Sequence, residues 1–108
     1  MPEAATAKLL RIFVDEDDGW SGKPLYEAIV EALREAGFAG ATVLKGIEGF
    51  GRRRAVRSAR AVDFSANLPV LIEVFEQEEK VLEFIPKLRE MISDGLITLE
   101  NVQVVRWT

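Results

Sequence analysis

The sequence predicts an α+β domain in which two helices pack on one face of a four-stranded antiparallel sheet. Three observations lead there. Two stretches carry apolar stripes at helical spacing, four others are short and rich in β-branched or alternating apolar residues, and they follow one another as strand, helix, strand, strand, helix, strand. Right-handed crossovers place both helices of such a βαββαβ chain on the same side of the sheet, the ferredoxin-like arrangement. A chain of 108 residues holds one hydrophobic core. Residues 8–108 therefore read as a single domain behind a small, polar stretch at 1–7, expected to be a disordered tail.

The first strand is expected at residues 8–15, with Leu10, Ile12 and Val14 on one face and Leu9, Arg11 and Phe13 on the other. An acidic loop follows, with Asp15, Glu16, Asp17 and Asp18 in a row. Those carboxylates suit a hard cation in kind, but they lack the alternating spacing and distal glutamate of a calcium loop. Solvation explains them as well, and no metal ligand is assigned.

Pro24 fits the first position of a helix over residues 24–36. Leu25, Ile29, Leu33 and Ala36 form its apolar stripe, Glu27, Glu31, Arg34 and Glu35 lie off it, and Gly37 supplies the left-handed residue that ends it. The second strand is expected to start near Ala41 and run through Gly49, and residues 61–64 are a candidate returning strand. Pro69 pushes Leu68 towards extended geometry and opens the third strand at residues 70–75. The second helix spans about residues 78–92, with Val81, Leu82, Ile85, Leu88 and Ile92 as its expected stripe. Pro86 lies inside it, so a kink or a late start is expected. The last strand covers residues 97–106, with a possible break near Glu100 and Asn101.

Composition narrows the function. Apolar residues make up 48% and charged residues 30%, with a mean hydropathy of +0.06. That balance fits a water-facing globular chain, and no apolar run is long enough to span a bilayer. Residues 1–7 lack the basic and apolar regions of a signal peptide, so a cytoplasmic protein is expected. With no cysteine and no histidine, thiolate and imidazole chemistry are both absent, and no catalytic residue is assigned. Adjacent carboxylates such as Asp17 with Asp18 rarely converge on one substrate.

The most informative stretch is residues 41–60. It opens apolar, passes Gly46, Gly49 and Gly51, and ends in Arg52, Arg53, Arg54, Arg57 and Arg60. The formal charge is −4, and without those five arginines it is −9. Glycines that free the backbone for close approach, followed by guanidinium forks, suit an anion. A soluble hairpin tip is the plain alternative. Nucleic acid is not expected, since the net charge is negative and aromatics do not interleave with the arginines.

The sheet should not stand alone. Leu9, Phe13, Leu71 and Phe75 share the face away from the helices, where Arg11 and Glu73 can pair as neighbours. Burying such side chains is worth roughly 1.5–3 kcal/mol each, which favours association of copies in closed symmetry.

These residues resemble a known family. Gly40-Ala41-Thr42-Val43 and Gly49-Phe50-Gly51-Arg52 are similar to the second strand and arm base of PII signalling proteins, and Leu68-Pro69-Val70 and Gln103-Val104-Val105-Arg106 look alike too. The acidic loop, Trp20 and Gly22-Lys23-Pro24-Leu25-Tyr26 resemble more specifically the PII-like family called domain of unknown function 190 (DUF 190). The resemblance implies a homotrimer with intersubunit clefts that take an adenine nucleotide, and a T-loop-like arm at about residues 50–64. It implies ligand contacts at Thr42, Gly49, Phe50, Gly51, Arg52, Arg53 and Arg106, and a partner-facing arm with Arg54, Arg57 and Arg60. The implied role is signal transduction without a required cofactor, and a membrane transporter or channel is the kind of partner implied. The chain departs from PII proteins at Ser93-Asp94-Gly95-Leu96, where they carry a glycine-rich loop ending in lysine, and its arm is shorter. A ligand-independent interaction module is the alternative.

Overall fold

A computed structural model of the protein describes residues 5–51, 57–58 (backbone) and 67–105. In chain order the elements are β1 (Ala5–Asp15), β2 (Gly19–Trp20), β3 (Lys23–Pro24), α1 (Leu25–Glu35), β4 (Thr42–Lys45), β5 (Glu48–Gly49), β6 (Arg57–Ser58), β7 (Pro69–Glu76), α2 (Glu78–Met91) and β8 (Leu96–Val104). The main sheet has the order β4-β7-β1-β8 and is antiparallel throughout, as the ferredoxin-like arrangement requires.

Register explains the core. Leu10, Ile12 and Val14 of β1 stand opposite Val74, Ile72 and Val70 of β7, and all six are buried. They meet Leu25, Ala28, Ile29 and Leu33 of α1 and Val81, Phe84, Leu88 and Met91 of α2 in one cluster. Trp20 and Tyr26 pack partly buried against it.

α1 ends by two bonds that close its last turn. The N–H of Gly37 donates to the Arg34 carbonyl at 3.1 Å and that of Phe38 to the Leu33 carbonyl at 3.1 Å. Gly37 has φ +82°, where a side chain would be strained. Phe38 then meets the Phe84 ring edge-on at 5.2 Å, and Lys80 Nζ donates to the Gly37 carbonyl at 2.7 Å. The buried Glu76 accepts from the N–H of Ala39 at 3.1 Å and of Gln77 at 3.0 Å, joining the end of α1 to the start of α2.

Several boundaries differ from the sequence reading. β1 opens at Ala5, because Ala5, Thr6 and Ala7 pair with Val104, Gln103 and Val102; three residues of the expected tail are strand, and Ala7 is buried. Pro24 is the residue before α1 rather than its first, with ψ 135°. Residues 19–24 form a small hairpin, turned by Ser21 at φ 50° and Gly22 at φ 83°, where only a loop was expected. α2 runs unbroken through Pro86 from Glu78 to Met91, so no late start occurs. Its buried stripe is rotated: Phe84 and Met91 are inside and Leu82 is half-exposed. β8 pairs with β1 without a break at Glu100 or Asn101.

Candidate functional site

The expected second strand is two strands. β4 pairs with β7, and Gly46 then turns against Pro69, its N–H donating to the Pro69 carbonyl at 2.7 Å. A Cβ on Gly46 would lie 2.7 Å from Pro69 Cγ, so glycine is what lets the two segments touch. The chain leaves the sheet there as β5, which pairs with β6 through Glu48 with Ser58 and Gly49 with Arg57. The returning strand is thus 57–58, and the candidate at residues 61–64 lies outside the described residues.

That ladder sets the base of the arm. Thr42 is the first residue of β4, opposite Glu73. Gly49 closes the ladder, and Phe50 and Gly51 follow it, Phe50 with 66% of its surface exposed and Gly51 with open space where a Cβ would be. The Arg57 backbone stands opposite Gly49. Arg52, Arg53, Arg54, Arg60 and Arg106 lie outside the described residues. Ile47, three residues before Phe50 and 76% exposed, is a second apolar side chain at the arm base.

The acidic loop divides its carboxylates. Oxygens of Asp15, Asp17 and Asp18 lie within 4.8 Å of one another, and Asp18 Oδ2 accepts from the Asp15 N–H at 2.9 Å. Exposed acidic side chains come this close without a cation. Glu16 goes elsewhere: its Oε2 accepts from Lys45 Nζ at 2.5 Å. The lysine's hydrogen bond holds the Glu16 carboxyl below its usual range, and the Glu16 hydrogen bond raises the Lys45 ammonium. Glu16, which has no distinguishing sequence pattern, was missed.

The face of the sheet away from the helices carries the expected row, but Leu9 is already buried within the single chain and Leu71 is part-buried. Leu9 stands opposite Phe75, Arg11 opposite Glu73, and Phe13 opposite Leu71. The register adds Leu44 and Leu96, which are 47% and 56% exposed; Phe13 and Phe75 are 38% and 48% exposed. Hydrogen bonding to Glu73 raises the Arg11 guanidinium's proton affinity further, and Glu100 adds to it. Among the described residues, no helix is long and apolar enough to cross a membrane.

Comparison with known proteins places this geometry. The family model DUF190, described as uncharacterized ACR, matches residues 7–104. A UPF0166 protein of Aquifex aeolicus (strain VF5) is 40% identical over 98 residues, covering 91% of this chain and 92% of its own length. A UPF0166 protein of Methanocaldococcus jannaschii is 40% identical over 101 residues, covering 93% of each. Among solved structures, CPII of Thiomonas intermedia K12, a nitrogen regulatory PII-like protein bound to ADP, AMP and bicarbonate, superposes with a TM-score of 0.70 at 21% identity. That match covers 98% of this chain and 94% of CPII. A protein of Thermus thermophilus described as PII-like signaling gives a TM-score of 0.71 at 24% identity, over 95% of this chain and 93% of its own. At those identities the likeness to the two structures is one of fold.

Proposed function

This chain belongs to the DUF190 family, and from that premise we propose that it is a PII-like regulator that senses an adenine nucleotide or a similar anionic small ligand. Copies associate through the apolar sheet face into a homotrimer, and the ligand sits in the clefts between them. The arm relays its presence to a partner, a membrane transporter or channel, in the cytoplasm. No catalytic step is needed for this role.

One observation carries the reading: the β5–β6 ladder opens at Gly49 into Phe50 and Gly51, directly ahead of the arginines of the sequence. Backbone N–H groups beyond the last ladder pair suit phosphate oxygens, and guanidinium forks following at once supply charge-assisted bonds. CPII, which has the same fold, is described with ADP, AMP and bicarbonate. By this reading Thr42, Gly49, Phe50, Gly51, Arg52 and Arg53 come from one copy and Arg106 from its neighbour. Arg54, Arg57 and Arg60 face the partner. Binding shifts the arm only if the ligand prefers one of its states, since equal affinity moves nothing.

Isothermal titration with ATP, ADP, AMP and cyclic nucleotides tests it. Heat with at least one of them, on a protein that light scattering shows as an oligomer, is the expected result. No heat from any of them on an intact oligomer overturns the sensing role. The exposed Ile47 and Phe50 beside the arm base favour a second reading, an interaction module that docks on its partner without a small ligand. Partner capture unaffected by nucleotide, and lost on truncating Phe50, would mark that case.

A further inference from the structure

Both ends of the arm converge on one side chain of the acidic loop. Lys45 ends β4, on the outgoing side, and Leu68 precedes β7, on the returning side. Glu16 holds both. Its Oε2 takes Lys45 Nζ at 2.5 Å, its Oε1 takes the Leu68 N–H at 3.4 Å, and its own N–H donates to the Leu68 carbonyl at 2.9 Å. Two flanking bonds run the same way: Asp17 N–H to Asn67 Oδ1 at 2.9 Å, and Gly46 N–H to the Pro69 carbonyl at 2.7 Å. Neither Glu16 nor Lys45 belongs to the core cluster, so the fold does not need this carboxylate for packing.

We propose that Glu16 is the positioning residue of the arm: by bridging Lys45 and Leu68 it sets the spacing of the two feet, and so the direction in which the Gly49-Phe50-Gly51 segment leaves the sheet. The arm's role as a ligand-responsive element is taken from the proposed function; the bridge itself does not depend on it. Among the described residues, the charged and titratable groups around Glu16 are Lys45 from β4, Tyr26 from α1, which acts on Lys45, and Asp15, Asp17 and Asp18 of its own loop. Among these, Lys45 is the sole cation, so the bridge holds while Glu16 is ionised and opens when it is protonated.

Amide hydrogen exchange on the full-length, ligand-free protein tests this. In Glu16→Ala the amides of Leu68 and Gly46 are expected to exchange about three- to tenfold faster, the amount a lost charge-assisted bond at a half-open site allows. Amides in the middle of β1 and α2 should keep their rates. Glu16→Gln keeps an oxygen for the Leu68 N–H but loses the charge, so it should fall between the two and serves also if the alanine variant folds poorly. After correction for intrinsic rates, acidification should loosen the same amides in the wild type and not in Glu16→Gln. Unchanged rates at Leu68 and Gly46 in both variants, or an equal rise across the whole chain, overturn the proposal. A titration with ADP is read separately. If the wild type binds ADP, weaker binding in Glu16→Ala supports the positioning role and equal binding counts against it. If the wild type binds no nucleotide, the sensing role fails while the bridge is still decided by exchange.

Discussion

Arg11 Nε donates to Glu73 Oε2 at 2.8 Å, straight across the central β1–β7 pair, and its Nη1 reaches Glu100 Oε1 of β8 at 3.3 Å. One guanidinium thus ties three neighbouring strands at the centre of the face that the helices leave open. Leu9, Phe13, Leu71 and Phe75 flank it in register. A fork that satisfies two carboxylates at once is what allows those charges to sit among apolar side chains.

Arg11→Met leaves Glu73 and Glu100 without their shared cation on a face proposed to bury against other copies. The oligomer is expected to dissociate at higher protein concentration than the wild type. Arg11→Met combined with Glu73→Gln should recover part of the association. Sedimentation velocity over a dilution series reads both; identical dissociation in all three proteins would separate this ion pair from assembly.

The rotated stripe of α2 gives a direct contrast. Phe84 is buried against Phe38, while Leu82 is half-exposed. Phe84→Ala should cost about 3–5 kcal/mol of unfolding free energy, and Leu82→Ala no more than about 0.5 kcal/mol. Urea denaturation at fixed pH measures the difference. Equal losses would restore the stripe read from the sequence.

The parts of this protein legible in its sequence are those governed by one period at a time. Alternation along residues 9–14 and 70–75 named both faces of the central strands and the Arg11–Glu73 pair before any register was known. In α2, Leu82, Ile85 and Ile92 are as apolar as Phe84 and Met91, so periodicity alone does not choose the phase; the neighbouring Phe38 and the sheet do. β4 and β5 read as one strand because the break at Gly46 depends on Pro69, which is distant in sequence. Ala5–Ala7 carry too little apolar weight to announce a strand, yet pairing with Val102–Val104 extends β1 through them. Glu16 was invisible for a similar reason, since its partners Lys45 and Leu68 come from far along the chain.

The Glu16–Lys45 pair gives a pH dependence with a definite sign. The carboxyl is lowered in the folded protein, chiefly by the lysine's hydrogen bond, so its contribution is present above the ordinary carboxylate value and is lost as pH falls through the lowered one. The lysine is raised, so its contribution is present below the ordinary lysine value and is lost as pH rises through the raised one. The pair therefore stabilises across neutral pH. Lys45→Met should unfold at slightly lower urea than the wild type near pH 7, with the gap closing in acid below the carboxylate range. A gap that stays constant into acid would mean that the lysine acts through packing. High salt should shrink the neutral-pH gap, because both groups are solvent-accessible.

Two glycines should respond differently to alanine. At Gly95 a Cβ would stand 2.7 Å from the Phe13 carbonyl oxygen and 2.9 Å from Ile92 Cγ2, and backbone cannot move aside cheaply. Gly95→Ala is expected to cost about 1–3 kcal/mol, as overpacking does. At Gly51 nothing lies within 4 Å, so Gly51→Ala should leave the thermal midpoint unchanged. If phosphate lies against that backbone as proposed, the same substitution weakens nucleotide binding without touching stability. Thermal melts and titrations on the two variants separate fold from site.

The arginines of the arm should divide by task. Arg52 and Arg53 follow Gly51 at once, whereas Arg54, Arg57 and Arg60 lie further along. Removing a guanidinium that forms a charge-assisted bond to phosphate typically costs about tenfold or more in affinity. Arg52→Ala and Arg53→Ala are therefore each expected to weaken nucleotide binding by about that factor. Arg54→Ala, Arg57→Ala and Arg60→Ala should leave it unchanged while weakening partner capture in pull-downs from membranes. All five contribute to long-range attraction of an anion, so a titration at two salt concentrations is needed: a general field effect fades for every variant alike at high salt, and a direct bond persists for the first two. Equal losses across all five at both salts would remove the division of the arm into a ligand end and a partner end.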